Sequence, residues 1–196
     1  MTSSLHHDPV ARFGKWYADA RERGLAQPEA MALATASATG APAVRMVLLK
    51  SADREGFTFY TNTLSRKGRE LDSNPRAALC FFWEGLGRQI RVEGSVVRVD
   101  DDEADAYFAS RPRDSQLGAW ASLQSELLDD RSLLESRLAE VRQRHGDGEV
   151  SRPPHWGGYR VVAERIEFWQ QGEARLHHRE LYQRSADGWT RSVLYP

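Results

Sequence analysis

Two hydrophobic rhythms alternate along the chain. Val10, Phe13, Trp16, Tyr17 and Ala20 recur at the three-and-four spacing of an amphipathic helix, with Asp8 placed to cap it, Pro9 in its first turn and Gly24 to end it. From residue 31 the period falls to two. Met31–Ser37 and Pro42–Leu49 read as a hairpin around Thr39-Gly40, and Phe57–Thr61 as a third strand after the turn at Asp53–Gly56. Ser65 caps a short helix that must stop before Asn74-Pro75. Arg76–Trp83 and Arg88–Val99 form a second predicted hairpin, turning through Glu84–Gly87. The helical rhythm returns at Asp101–Ser110, and a new segment follows Arg111-Pro112. Over Ser132–His145, Leu133, Leu134, Leu138 and Val141 share one stripe, closed by Gly146. Beyond Pro153-Pro154 the predicted strands resume: Gly158–Trp169, His178–Arg184 and Trp189–Val193, with a turn at Asp187-Gly188.

Strands joined by such short turns pair antiparallel, because a parallel pair needs a crossover of a dozen or more residues. Seven or so strands, with helices inserted between the fifth and sixth, give an α+β fold. A small closed or split antiparallel β-barrel with surrounding helices is the economical arrangement, since closure removes edges. No repeat, low-complexity tract or linker interrupts the chain, so one domain is expected over residues 8–196, after a short tail of residues 1–7.

Composition narrows the function. Of 196 residues, 40% are hydrophobic, and 7 Phe, 6 Tyr and 6 Trp are enough for a real core. A net charge of −1 disfavours nucleic acid as a partner. The single cysteine, Cys80 in AALCFFW, excludes an internal disulfide, a zinc ribbon and a redox CxxC pair, and is expected to be a small buried hydrophobe. MTSSLHHDPVARF lacks the apolar core of a signal peptide, and no run approaches the ~18 apolar residues of a membrane span, so a cytoplasmic protein is expected. Neither GxGxxG nor GxxxxGK[ST] is present, and there is no GxSxG or HExxH. His177 and His178 are adjacent, so on a strand they would face opposite ways; no metal is expected.

What remains is cations. Residues 45–91 hold nine Lys/Arg against five Asp/Glu, whereas residues 98–150 hold seven against thirteen, the latter reading as solvated helix faces. Two of only three lysines, Lys50 and Lys67, lie in the basic stretch. Arg45 and Lys50 bracket RMVLLK. Their spacing of five sends them to opposite faces of a regular strand, so either a bulge intervenes or the two serve different regions. Arg66 and Lys67 open a helix, where free backbone N–H groups favour an anion. Arg111, Arg113 and Ser115 cluster at another helix start, with Arg113 the more structural of them. Arg175, His177 and Arg179 alternate, so an extended backbone would put all three on one face within roughly 13 Å. Together these groups suit a small molecule bearing several phosphates.

The chain resembles the pyridoxine/pyridoxamine 5′-phosphate oxidases. The matching segments are RMVLLK (45–50), FYTNTLSRKGRELDSNPRAAL (59–79), FFWEGLGRQIRVEG (81–94), YFASRPRDSQLGAWAS (107–122), QS (124–125), HWGGYRV (155–161) and IEFWQQGEARLHHRELYQR (166–184). They run from Arg45 to Arg184, most of the chain. The resemblance implies an FMN-binding split β-barrel acting as a homodimer, with flavin at the subunit interface. It implies FMN contacts from Arg45, Met46, Val47, Leu48, Leu49, Lys50, Tyr60, Thr61, Arg66, Lys67, Gln89, Gln124, Ser125, Trp169 and Arg179. It implies a substrate phosphate held by Lys50, Tyr107, Arg111 and Ser115, and a substrate ring held by Arg175 and His177, the two implied catalytic residues.

The implied reaction moves hydride from C4′ of pyridoxine or pyridoxamine 5′-phosphate to flavin N5. Reoxidation by O2 then gives pyridoxal 5′-phosphate and H2O2. Arg175 is expected over the pyridine face opposite the flavin and His177 at the C4′ substituent, with the cations converging into two neighbouring anion pockets. One departure stands out: MTSSLHH has neither the Arg nor the Tyr that family members often carry in an N-terminal arm, so either the site is more open or another segment closes it. The competing readings are a sister flavin oxidase acting on phenazine precursors and a non-catalytic flavin- or haem-binding barrel. Arg111 and Ser115, which a mere cofactor carrier does not need, weigh against the second.

Overall fold

The computed structural model describes residues 8–196, so the expected tail of residues 1–7 lies outside the described residues. Helix α1 (Pro9–Glu22) starts where the Asp8 carboxylate accepts the backbone N–H groups of Val10 and Ala11, at 2.9 and 3.1 Å. There follow β1 (Ala30–Ala36), β2 (Pro42–Leu48), β3 (Ser51–Ala52), β4 (Phe57–Asn62), α2 (Arg66–Ser73), β5 (Arg76–Trp83) and β6 (Arg88–Arg98). Helices α3 (Asp101–Ala109), α4 (Arg113–Ala121) and α5 (Arg131–His145) come next. The chain closes with β7 (Trp156–Gln170), β8 (His178–Ser185) and β9 (Gly188–Leu194). The count of strands exceeds the seven or so expected partly through β3, whose two residues are too few to show a period.

Every strand pair is antiparallel, in the order β2-β1-β5-β6-β7-β4-β3. That path begins on β2 and ends on β3, which only Leu49 and Lys50 separate, so the sheet curls back on itself as a barrel. The split falls in β7. Its first part, Trp156–Val161, pairs with β4, whereas Arg165–Gln170 pair with β8, which carries β9. A register shift at Glu93/Gly94 bends β6 at the same level. Gly94 is required there, because a Cβ would stand 2.0 Å from the Val162 carbonyl oxygen. The α+β split barrel is the fold expected from the sequence.

Residues opposite one another in the ladders share a face. Leu33, Leu79, Val92 and Ile166 form one inward row across β1, β5, β6 and β7, and all are buried. Helix α1 plugs one end of the barrel with Phe13, whose ring meets Phe57 at 4.9 Å and Phe81 at 5.1 Å. A second apolar cluster forms outside the barrel, where Phe108, Leu117, Ala121 and Val141 of α3–α5 pack with Trp156. Leu134 and Leu138 join it, but Leu133, expected on the same stripe, is exposed: one residue earlier on a helix is about 100° round.

The outer face of β2, β1 and β5 is left bare. Val44, Met46 and Phe82 are 69%, 65% and 59% exposed, and Met46, Ala32 and Cys80 share one outward row. Cys80 is therefore only partly buried, because the row that holds it points away from the core.

Candidate active site

A cleft of about 410 Å³ opens between the edge of β2 and helices α3 and α4. Met46, Val47, Leu48 and Lys50 form one wall, Tyr60, Thr61 and Lys67 the base, and Tyr107, Arg111, Ser115, Gln124 and Trp156 the other side. An adjoining hollow of about 270 Å³ shares Tyr60, Thr61, Arg111, Ser115, Gln124 and Trp156. Among the described residues, no carboxylate lines either space.

Lys67 reaches the cleft from the first turn of α2, whose N-cap is Ser65. Its Nζ donates to Gln124 Oε1 at 2.7 Å, Thr61 Oγ1 at 2.9 Å and Ser65 Oγ at 3.0 Å, all neutral oxygens. Burial, reinforced by the Arg45 charge, pushes this ammonium down to about 8. Arg111 stands at the corner between α3 and α4, its guanidinium 4.8 Å from the Trp156 ring and 5.4 Å from that of Phe108. Its Nη1 is buried with no hydrogen-bond partner among the described residues, and burial lowers its pKa. A buried guanidinium nitrogen left unpaired beside an acid-free cleft is built to receive an anion. Three nearly parallel rings form the shelf beneath it: Tyr60 lies 4.1 Å from Tyr107 and 5.2 Å from Trp156. Lys50 Nζ sits 5.9 Å from the Tyr107 ring.

Arg45 and Lys50 serve different regions. Arg45 shares the inward row of Leu33 and donates to Thr35 Oγ1 at 2.5 Å and to Glu70 at 3.1 Å. Lys50 lies past the end of β2 and turns into the cleft. Arg66 also ends on Glu70, at 2.8 Å, so neither of these arginines lines the cleft. Burial raises the Glu70 pKa, but hydrogen bonds from Thr35, Arg66 and Arg45 outweigh it, and the group lies below the ordinary carboxylate range. Leu49 is buried, and Ser125, with φ +77°, lies in a neighbouring hollow beside Gln124. Arg113 donates to the Gly146 and Gly148 carbonyls and ties α4 to the end of α5.

The remaining candidates lie elsewhere. Gln89, Trp169 and Arg179 form one row across β6, β7 and β8, in register with Phe82 on the bare outer face. Arg179 Nε donates to Glu167 at 2.8 Å, and the His177 ring is 4.6 Å from that of Trp169. Only Arg179 is on a strand. Because Gln170 pairs with His178, the residues between them must form the hairpin loop. Arg175 therefore sits in a 3₁₀ turn with φ +64°, and His177 accepts the Gly172 N–H at 3.2 Å, instead of alternating along an extended backbone. Trp156 and Trp169 stand at opposite ends of β7, about 40 Å apart along the strand contour. Within one chain, then, the cations form two separated sets and not one convergent cavity.

Residues 18–145 match the family model described as pyridoxamine 5′-phosphate oxidase, and residues 156–196 match that of the pyridoxine 5′-phosphate oxidase C-terminal dimerisation region. The chain belongs to this family. Among its curated relatives, the pyridoxine/pyridoxamine 5′-phosphate oxidase of Anaeromyxobacter dehalogenans is 57% identical over 196 residues, covering all of this chain and 99% of that one. The protein of the same name from Sphingopyxis alaskensis is 55% identical, covering all of this chain and 91% of that one. Among solved structures, PhzG from Burkholderia lata, in complex with tetrahydrophenazine-1-carboxylic acid, superposes with a TM-score of 0.93 at 32% identity, covering 100% and 98% of the two chains. An FMN-binding protein from Nostoc punctiforme, with a TM-score of 0.75 at 18% identity over both full chains, shares the fold. The dimerisation region contains Trp169, Arg175, His177 and Arg179, so the second set belongs to the part of the family fold that makes a homodimer.

Sequence reasoning passed over Trp156 and Glu103. Trp156 carries Arg111 and is the second residue of HWGG (155–158), a segment used only for the resemblance. An aromatic residue followed by two glycines was a readable sign of close ring packing, since Gly158 faces Tyr60 in the ladder and a Cβ there would come 2.8 Å from the Tyr60 ring. Glu103 lay hidden in the acidic run at the start of α3.

Proposed function

We propose that the chain is an FMN-dependent oxidase that converts pyridoxine 5′-phosphate or pyridoxamine 5′-phosphate to pyridoxal 5′-phosphate. The observation that carries this reading is the buried, unpaired Nη1 of Arg111 in a cleft without carboxylates. Ser115, Tyr107 and Lys50 line the same cleft and complete a shell for a phosphate monoester. Because that phosphate does not react, its binding energy positions the reacting carbon.

The donor set also fits a second phosphate, that of FMN. Lys67, at the start of a helix, is bonded among the described residues to neutral oxygens alone, with no counter-ion of theirs within hydrogen-bond reach. Of the cofactor residues that the resemblance implies, Met46, Val47, Leu48, Lys50, Tyr60, Thr61 and Gln124, with Ser125 beside them, would hold the cofactor from one chain, and Gln89, Trp169 and Arg179 from the second copy. Arg45 and Arg66, bound to Glu70, would have to release it to reach the cofactor. Once bound there, FMN would supply the redox chemistry: acceptance of a hydride from C4′, and reoxidation by O2 to H2O2. The protein supplies geometry. Arg175 packs on the pyridine face and His177 orients the C4′ substituent, both brought over the cleft by the second copy.

The test is the visible spectrum of the purified protein, before and after anaerobic addition of pyridoxine 5′-phosphate. Bleaching of the flavin band, with H2O2 and pyridoxal 5′-phosphate formed in air, is the expected result. The likeness to PhzG favours one second reading, a phenazine-type substrate. A flavin bleached by a reduced phenazine carboxylate but by neither vitamer would establish it. Arg175→Leu is expected to lower turnover with FMN retained; full turnover would remove Arg175 from the mechanism.

A further inference from the structure

Glu103 lies on α3 outside the cleft, yet it joins three elements that build it. Its Oε1 accepts the Tyr60 hydroxyl at 3.2 Å and its Oε2 accepts Arg160 Nη2 at 2.7 Å. Arg160 is fixed in turn by Glu55 at 2.8 Å and by Thr58 Oγ1 at 3.2 Å. Four residues apart on one helix, Glu103 and Tyr107 share a face, and both meet Tyr60, one at the hydroxyl and the other ring to ring. Tyr60 and Tyr107 stack in turn with Trp156, within 15° of parallel, and the Arg111 guanidinium rests on Trp156. No polar group of the described residues holds the buried Arg111 Nη1, so the aromatic shelf is what sets its place. Burial, then the Glu103 charge and hydrogen bond, push the Tyr60 phenol up, so it remains a donor to Glu103 across the neutral range.

We infer that Glu103 is a positioning residue: anchored by Arg160, it fixes the Tyr60 phenol and, through the Tyr60–Tyr107–Trp156 stack, sets where Arg111 meets the substrate phosphate. This rests on the reading of the cleft as the site of a phosphorylated vitamer.

The experiment compares FMN-loaded wild type, E103A, E103Q, Y60F and the E103A/Y60F double variant with pyridoxine 5′-phosphate. E103A is expected to raise KM about fivefold, the size of one net hydrogen bond, with kcat within about twofold. Y60F should match it, and the double variant should be no worse than either, because both act through one contact. E103Q keeps an acceptor oxygen and should stay near wild type. The dissociation constant of pyridoxal 5′-phosphate, read from tryptophan fluorescence, should move in parallel with KM.

An unchanged KM in E103A, with or without a lower Tm, overturns the inference, as do losses in E103A and Y60F that multiply. If E103A does not fold, Y60F and E103Q decide: a raised KM in Y60F beside a normal one in E103Q supports the inference, and any other pair overturns it. A wild-type protein that neither binds nor oxidises the vitamer overturns the reading of the cleft itself. An active wild type matched by E103A overturns only the role of Glu103.

Discussion

The two ends of β7 treat their cations in opposite ways. At the Trp156 end, Arg111 and Lys67 are withdrawn from water and given aromatic faces or neutral oxygens as company. At the Trp169 end, Arg179 is held by Glu167 and Arg175 sits exposed on the turn between β7 and β8. A buried cation without a counter-ion is costly in an empty site and binds an anion tightly. A cation already paired at a surface costs little and waits for something to cover it. The first end is a pocket that one chain can build; the second lies in the dimerisation region and, in the function proposed above, is half of a site that a second copy completes.

The sharpest way to break this comparison is subunit mixing. Arg111→Ala and Arg175→Ala are each expected to abolish nearly all turnover at low substrate. If the two ends meet across the dimer, refolding both variants together restores about a quarter of wild-type activity, because half the dimers are mixed and each carries one intact site. No recovery would mean that the two ends act within one chain.

Next in size, Arg111→Leu should raise KM for pyridoxine 5′-phosphate about 100-fold, the loss of two charge-assisted hydrogen bonds, while apoprotein Tm holds or rises because an unpaired buried charge is gone. A fall in Tm without a change in KM would make Arg111 structural.

Smaller and pH-dependent is the effect at Lys67. Its folded pKa, about 8, lies below the ordinary lysine value of 10.5. Between those values the unfolded chain keeps a proton that the folded chain has lost, so apoprotein stability rises with pH across that window. Anion binding needs the proton, so FMN affinity should weaken about tenfold for each pH unit above 8, with riboflavin affinity flat. Fluorescence titrations from pH 7 to 10 check both. Smallest of all, Arg113→Ala should lower Tm by about 2–4 °C and leave KM unchanged, since its hydrogen bonds tie α4 to α5 outside the cleft.

Much of this was readable along the chain, and for local reasons. The Asp8 and Ser65 caps, the two early hairpins and the break at Pro153-Pro154 depend on neighbours a few residues away. The facing of Arg45 and Lys50 was not readable, because it depends on β2 ending at Leu48, where the chain leaves β1 and joins β4 through β3. The alternation of Arg175, His177 and Arg179 misled, because a two-residue period says nothing about whether a segment lies inside a strand or in the loop before it. Glu103 escaped because an acidic helix start has the same composition whether its carboxylates meet water or Tyr60 and Arg160.

By itself, then, the sequence determined the elements, their antiparallel pairing and the kinds of side chain available, since propensity, capping and periodicity are short-range properties. Only the tertiary structure decided which cations lose their water and which keep a carboxylate. Burial and pairing are set by residues far apart in the chain, and closing the barrel fixes them all at once.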